Sequence, residues 1–277
     1  MRGRGGTSER PVAPVVAVLV AAGFRRYVRY RGAMVGGAVT NTVFGFLRAS
    51  IVSATIVSAG GQLGGYGVAT GVTYAWATQA VIAPLELFTW NELAQRVRSG
   101  DIAVDVARPV DLQLQYGAAD LGRAAAVVVP RAAPPLLVGA VTTGLALPSA
   151  MLPYLTGAVS LLLALGISFG CRYLVNLVTF WVVEVRGLVA LYVGVSNVLC
   201  GLIVPVHWFP GPLAAVAGAT PFPSMVQTPV DLITGRVSGG AASAHLLAVQ
   251  LAWCLGVLAA GQLVQRLGAR TLVVQGG

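Results

Sequence analysis

Residues 33–58 read AMVGGAVTNTVFGFLRASIVSATIVS, an apolar run interrupted by a single charged residue, Arg48. A helix needs about 20 apolar residues to cross roughly 30 Å of hydrocarbon, so this run is long enough to span a bilayer. The rest of the chain shares its character, because hydrophobic residues make up 56% of the 277 residues and charged residues only 10%. Soluble domains carry about 25% charged residues. The sequence therefore predicts an all-α integral membrane protein.

Further apolar segments extend this prediction to a single bundle of six transmembrane helices within residues 33–265. The predicted spans cover about 33–58, 71–95, 126–148, 154–181, 187–205 and 243–265.

A shorter apolar run precedes the first span and ends in a dense arginine cluster. Its apolar part, residues 12–24, would reach only about 20 Å as a helix, which is too short to cross. Residues 12–31 are therefore predicted to form an amphipathic elbow helix in the membrane interface. The polar residues 1–11 are predicted to be disordered.

All eighteen basic residues are arginine, and their placement predicts an orientation. In the predicted topology sixteen arginines fall on one side, Arg236 falls on the other, and Arg48 lies within a span. Because cytoplasmic loops carry the excess of basic residues, both termini are predicted to be cytoplasmic. The net charge of +9 is explained by this asymmetry, so no nucleic-acid partner is predicted; the bilayer itself is the surface that the basic residues face.

The sequence also excludes some chemistry. It contains no lysine, and a Walker A phosphate loop needs one to reach the nucleotide phosphates. Cys171, Cys200 and Cys254 lie far apart in apolar runs and are predicted to be small core residues. His207 and His245 make no ligand spacing with them. The chain is therefore predicted to be no enzyme, with neither a metal site nor a bound cofactor.

Two connecting segments differ from ordinary loops. Residues 96–123 mix charges with apolar side chains, which suits a short helix in a partner's groove; a solvated loop is the alternative. Residues 205–235 are broken by proline yet are too apolar for water, which favours short re-entrant helices packed against protein in the outer leaflet. Their aromatic residues fit either an interfacial belt or an exit gate for a substrate. The candidate gate comprises Pro205, His207, Trp208, Phe209, Pro210, Pro221 and Phe222.

Three motifs in this order resemble those of bacterial type 2 ABC exporter permeases. The first is RSGDIAVDVARPV at 98–110, which resembles the family's "-RSGD-…-RP-" pattern between its second and third spans. The second is FWVVE at 180–184, followed by Gly187-Leu188. The third is CGLIVP at 200–205, followed by Phe209-Pro210, Pro221-Phe222 and Pro229.

The resemblance implies a function. Such a permease pairs with a second permease, identical or paralogous, in the bacterial plasma membrane. It docks on separate ATP-binding cassette ATPase subunits, which bind ATP and magnesium, and it exports a hydrophobic or amphipathic drug, antibiotic or lipid-like compound. Residues 96–123 would form the coupling loop, with Glu184 at an inner turn. The implied coupling residues are Gly100, Asp101, Asp105, Arg108 and Pro109.

An ion-coupled secondary transporter is the alternative function. It would need an internal repeat and charged residues clustered at mid-membrane. The predicted spans show only Arg48 and Glu86 at such depths.

Arg48 needs an explanation, because a central membrane arginine costs about 2.5–3.5 kcal/mol on insertion scales. Glu86, in the second predicted span, differs from it in depth by about 7 Å, a distance that an arginine side chain bridges. The hypothesis is an intramembrane ion pair between Arg48 and Glu86. The alternatives are that Arg48 lines a dimer interface or a transport pathway, or that it snorkels.

Overall fold

The computed structural model describes residues 12–88, 92–182 and 184–270. Residues 1–11, predicted to be disordered, lie outside this part of the chain, as does Val183 of the second motif. Within it the long helices are α1 (Val12–Val28), α2 (Arg31–Ser58), α3 (Val68–Leu85), α6 (Leu112–Thr142), α7 (Leu152–Leu177), α8 (Arg186–Leu199) and α11 (Gly240–Ala269). The short helices are α4 (Glu92–Ser99), α5 (Ile102–Val106), α9 (Gly211–Gly218) and α10 (Gln227–Ile233). Two short strands, β1 (Gln62–Leu63) and β2 (Tyr66–Gly67), form an antiparallel hairpin between α2 and α3.

In the described part of the chain, four helices are long and apolar enough to cross a membrane: α2, α6, α7 with its 3-10 extension to Phe180, and α11. They overlap the predicted first, third, fourth and sixth spans. At the places of the second and fifth spans lie α3 and α8, which have only 18 and 14 residues. The fold is thus a helical bundle with four candidate spans.

The predicted second span, 71–95, is not one continuous helix. Pro84 removes a backbone donor near the end of α3, and Glu86 then adopts a left-handed φ of 51°. α3 therefore ends at Leu85, and the chain becomes helical again in α4 at Glu92.

The predicted polar loop 96–123 is largely helical. Asp111 caps α6 by accepting a 3.0 Å hydrogen bond from the backbone N of Leu114. α6 therefore starts well before the predicted third span. Its polar residues from Gln113 to Arg123 are mostly turned toward neighbouring helices rather than solvent.

The fifth predicted span also ends early, because α8 stops at Leu199. Residues 205–235 then form 3-10 turns at Val206–Trp208 and Phe222–Ser224 alongside α9 and α10. Pro205 precedes the first turn and Pro210 precedes α9, so the breaks fall where proline supplies no backbone donor.

The core is built around α3, whose Trp76 is completely buried. A Cβ at Gly45 of α2 would lie 2.2 Å from the Trp76 ring, and one at Gly139 of α6 would lie 2.6 Å from it. The indole nitrogen donates a 3.0 Å hydrogen bond to Thr143 Oγ1. The two glycines thus let α2 and α6 close on one aromatic ring, which is the usual role of small residues between membrane helices.

Replacing Gly45 with alanine should destabilise the protein, because the added methyl group must displace Trp76. Overpacking of this kind costs about 1–3 kcal/mol. We expect thermal unfolding in detergent, followed by tryptophan fluorescence, to occur at a lower temperature.

Gly36→Ala in the same helix is the matched control, since a Cβ there meets no atom within 4 Å. It should unfold at or above the temperature of the unmodified protein. Equal destabilisation by both substitutions would contradict the role assigned to Gly45.

Candidate functional site

The bundle has two chemically different ends. The basic end carries α1, α4, α5 and the beginning of α6. The β-hairpin end carries β1, β2 and residues 200–237. Between them a group of buried charges joins α3, α6 and α7.

This group, the ion cluster, consists of Glu86, Asp120, Arg123 and Arg172. Arg172 bonds Glu86 at 3.1 Å and Asp120 at 2.9 Å. Arg123 bonds the same carboxylates at 2.9 Å and 2.8 Å. Asp120 and both arginines are buried. Two positive and two negative groups cancel, so the bundle holds no net charge at this point.

The ion cluster also satisfies the end of α3. Arg123 donates from Nη1 to the carbonyl of Ala83 at 2.9 Å and from Nη2 to that of Pro84 at 2.7 Å. Ser168 Oγ donates to the carbonyl of Leu85 at 2.6 Å. The last carbonyls of a helix lack partners within it and form the negative end of its dipole. An arginine there supplies hydrogen bonds to the carbonyls and a positive charge that interacts favourably with the dipole.

The predicted Arg48–Glu86 ion pair is wrong. Glu86 lies beyond the break in α3 and faces α6 and α7, where Arg123 and Arg172 bind it. Arg48 instead donates through Nη2 to the carbonyl of Leu202, in the segment that follows α8.

The topology prediction had assigned both cluster arginines to the basic side of the membrane, and it therefore missed them as partners. One sequence signal was available: Asp120 and Arg123 are three residues apart, a spacing that pairs opposite charges on one helix.

At the basic end α4 and α5 form a helical hairpin that turns at Gly100, whose φ is 81°. The inner side of this hairpin is held by Asp105, which is 4% exposed. Asp105 accepts hydrogen bonds from Arg96 Nη2 at 3.1 Å and from Tyr116 OH at 2.9 Å. Gln115 Nε2 donates to the backbone carbonyl of Asp105 at 3.0 Å. The hairpin is thereby fastened to the first turns of α6.

The structure separates the predicted coupling residues into two groups. Asp105 faces inward, whereas Asp101, Arg108 and Pro109 are exposed. Among the apolar side chains that the prediction placed against a partner, Val104 is 58% exposed and Val106 50%, whereas Ile102 and Leu112 are buried. The outer surface of α5 thus presents two valines between exposed charged residues.

Glu184 lies in the short connection between α7, with its 3-10 extension, and α8. Hydrogen bonds from the side chain and backbone of Arg186 hold the pKa of Glu184 low, at about 2. Its carboxylate therefore stays ionised at every pH at which the protein would work. It also pairs with Arg98 of α4 at 3.5 Å, which connects this turn to the helical hairpin.

The β-hairpin end is organised around Asp231 of α10. His207 Nε2 lies 2.8 Å from Asp231 Oδ2, and Tyr66 OH donates to Oδ1 at 3.2 Å. Gln227 Nε2 donates to the same oxygen at 2.9 Å. Trp208 Nε1 donates to the carbonyl of Leu63 in β1 at 3.0 Å. His207 and Trp208, predicted to belong to a gate, thus tie residues 205–235 to the β-hairpin.

Other predicted gate residues have different surroundings. Phe222 packs against Tyr192 of α8, with ring centroids 6.2 Å apart. Pro205 is buried, and Phe209 and Pro221 are partly buried. Pro210 is exposed at the start of α9. Within the described residues, no group of three or more His, Cys, Asp or Glu side chains is placed to hold a metal ion.

Residues 45–276 match the sequence model of a family described as ABC-2 family transporter protein. This match covers most of the chain. No curated protein and no solved structure matches it.

Arg172→Met should strongly destabilise the protein, because Glu86 and Asp120 would then share Arg123 alone. Removing one partner of a buried ion pair costs about 3–5 kcal/mol. We expect a much lower thermal unfolding temperature in detergent, with partial recovery in the double variant Arg172→Met/Glu86→Gln, which restores charge balance.

Arg266→Met is the control, since Arg266 is exposed near the end of α11. Exposed substitutions of this kind usually change stability by less than about 0.5 kcal/mol. An Arg172→Met variant as stable as the control would contradict the role of the ion cluster.

Proposed function

The chain belongs to the ABC-2 transporter family, and from this premise we propose that it is the membrane permease subunit of an ATP-binding cassette exporter. It would move a hydrophobic or amphipathic compound out of a bacterial cell, using ATP hydrolysed by separate ATPase subunits. The observation that carries this proposal is the helical hairpin of α4 and α5, which exposes Val104 and Val106 on one side and is bonded into the bundle on the other.

The exposed side of the helical hairpin suits a partner's groove. Val104 and Val106 leave half or more of their surface exposed, and apolar groups at a rim of charge are typical of a protein interface. Arg108, 54% exposed in its side chain, would add a charged contact at the edge. A helix that buries such side chains in an ATPase groove would be the coupling helix.

The inner side of the hairpin provides a route for motion. Asp105 bonds Tyr116 of α6, and Asp120 of the ion cluster lies four residues further along the same helix. A displacement of the hairpin would therefore be passed to α6 and then, through Arg123 and Arg172, to α3 and α7. Coupling requires a chain of rigid contacts of this kind.

Orientation and span number follow from this function. The arginine-rich end would face the cytoplasm, in agreement with the positive-inside rule. α3, and α8 continued by residues 200–208, would then join the four longer helices to make six crossings, leaving both termini in the cytoplasm. α1 would lie in the interface, packed on α6 where Gly23 and Gly122 allow close approach. The β-hairpin end would form the outer gate, and a second permease would complete the pathway.

The alternative, an ion-coupled transporter, would need a carboxylate available to bind an ion. In the ion cluster each carboxylate is bonded by both arginines. This arrangement favours a structural role for the cluster and hence the ATP-driven function.

Val104→Asp/Val106→Asp should separate the permease from its ATPase, because two buried carboxylates would replace two apolar contacts. We expect an ATP-binding cassette ATPase to copurify with the unmodified chain, where mass spectrometry identifies it. The purified variant should lack this ATPase. ATP-dependent uptake into inverted vesicles should be lost while the permease remains monodisperse.

Leu267→Asp provides the control, since Leu267 is 47% exposed near the same end of the bundle but lies on α11. It should retain the ATPase. Arg108→Glu should insert normally but weaken transport. Transport by the unmodified chain without ATP, driven by a proton gradient, would refute the proposed function.

A further inference from the structure

A cavity of about 650 Å³ lies beside Arg48, between α2, α3 and the segment after α8. Its size is within the range of small-molecule sites, about 300–1,000 Å³. Apolar side chains form most of the wall, including Phe44, Ile51 and Ile203. These three are more than half exposed on the surface of the subunit, so the cavity opens sideways rather than toward an end of the bundle.

The charged residues of this wall are both positive. Arg48 and Arg131 line the cavity, and no carboxylate is among its lining residues in the described part of the chain. Glu86, which the sequence analysis assigned to Arg48 as its partner, is already bound by Arg123 and Arg172. Among the described residues, neither Arg48 nor Arg131 is therefore paired with a carboxylate.

Arg131 is partly committed to the fold. Its Nη2 donates to the carbonyl of Ala33 at 3.0 Å, and its guanidinium lies across Gly37 of α2, where a Cβ would lie 1.9 Å away.

Arg48 is differently placed. Its Nη2 donates to the carbonyl of Leu202, but its Nη1 is buried and has no hydrogen-bond partner among the described residues. Asn197 Oδ1, which belongs to another residue of the cavity wall, is also buried without a partner there. A buried donor and a buried acceptor are therefore left unused at one cavity.

The depth of Arg48 makes the unused donor significant. It lies ten residues before the end of α2 at Ser58, which corresponds to about 15 Å along the helix. This places it near the middle of a hydrocarbon layer about 30 Å thick. Ionisable residues at such depths are usually paired or face a pathway for a ligand.

We propose that this cavity binds an amphipathic anion, with its carboxylate, sulfate or phosphate on Nη1 of Arg48 and its apolar body against Phe44, Ile51 and Ile203. Asn197 Oδ1 would accept from a hydroxyl or amide group of the same molecule. This inference rests on the proposed function in one respect: it identifies the class of compound that the permease would export. Binding itself needs no ATPase and is tested without one.

The test uses the purified permease in a neutral detergent and a fluorescent dodecanoic acid as the probe. The matched alcohol, with the same fluorophore and chain, is the comparison ligand. The carboxylate should bind at least about tenfold more tightly than the alcohol, since a hydrogen bond to a charged group is typically worth that factor or more. Arg48→Gln should abolish this preference while retaining binding of the alcohol.

Two variants separate ligand binding from a structural role of Arg48. Arg48→Lys keeps the charge and should keep a reduced preference for the carboxylate. Ile51→Trp leaves Arg48 in place but fills the cavity, and should weaken binding of both probes. Arg266→Met, on α11, should bind both as the unmodified protein does.

The source of the anion is resolved by repeating the titration in nanodiscs. Displacement of the probe by phosphatidylglycerol but not phosphatidylcholine would support the site and identify a lipid headgroup as its occupant. Retained carboxylate preference in both lipids would support it and indicate a compound from outside the bilayer. Equal affinity for carboxylate and alcohol, or an Arg48→Gln variant with unchanged preference, would overturn the proposal. Absence of a copurifying ATPase from the unmodified chain would count against the proposed function but leave these binding results unaffected.

Discussion

The mutual neutralisation of Glu86, Asp120, Arg123 and Arg172 allows α3 to end inside the bundle. In hydrocarbon an unpaired charge or an unsatisfied carbonyl is costly, so a helix cannot stop there without partners. Arg123 meets both demands, because it binds the carboxylates and also caps the carbonyls of Ala83 and Pro84. The break after Leu85, the return through α4 and the position of the helical hairpin all depend on this arrangement.

α6 connects the separate parts of the molecule. Near its start Asp111 accepts hydrogen bonds from Gln262 and Gln265 of α11, at 2.7 Å and 2.9 Å. Although burial alone would raise the pKa of Asp111, these bonds and those from backbone N–H groups lower it. Tyr116 then bonds the hairpin, Asp120 joins the ion cluster, and Gly139 packs on Trp76. One helix thus contacts the proposed ATPase-facing surface, the buried charges and the core.

Polarity along the chain was an incomplete guide to position. Residues 112–123 are polar enough to predict a solvated or partner-facing loop, yet Gln113, Asp120 and Arg123 are buried within the bundle. A polar residue is stable in either place, in water or opposite a complementary group, and a single sequence does not show which. The same ambiguity led to the wrong partner for Arg48. Glu86 is close to Arg48 in predicted depth, but the arginines that bind Glu86 are on α6 and α7.

The sequence by itself determined the membrane class, the positions of the four long apolar helices, and membership of a transporter family through its motifs. These properties follow from the length of apolar runs and from local order along the chain, which need no knowledge of neighbours. Tertiary structure decided where α3 and α8 end, which charges pair, that Asp105 faces inward, and that Arg48 Nη1 lies beside a cavity with no partner among the described residues. Each of these depends on which groups from distant helices meet, because a buried polar atom is stabilised only by the partner that packing brings to it.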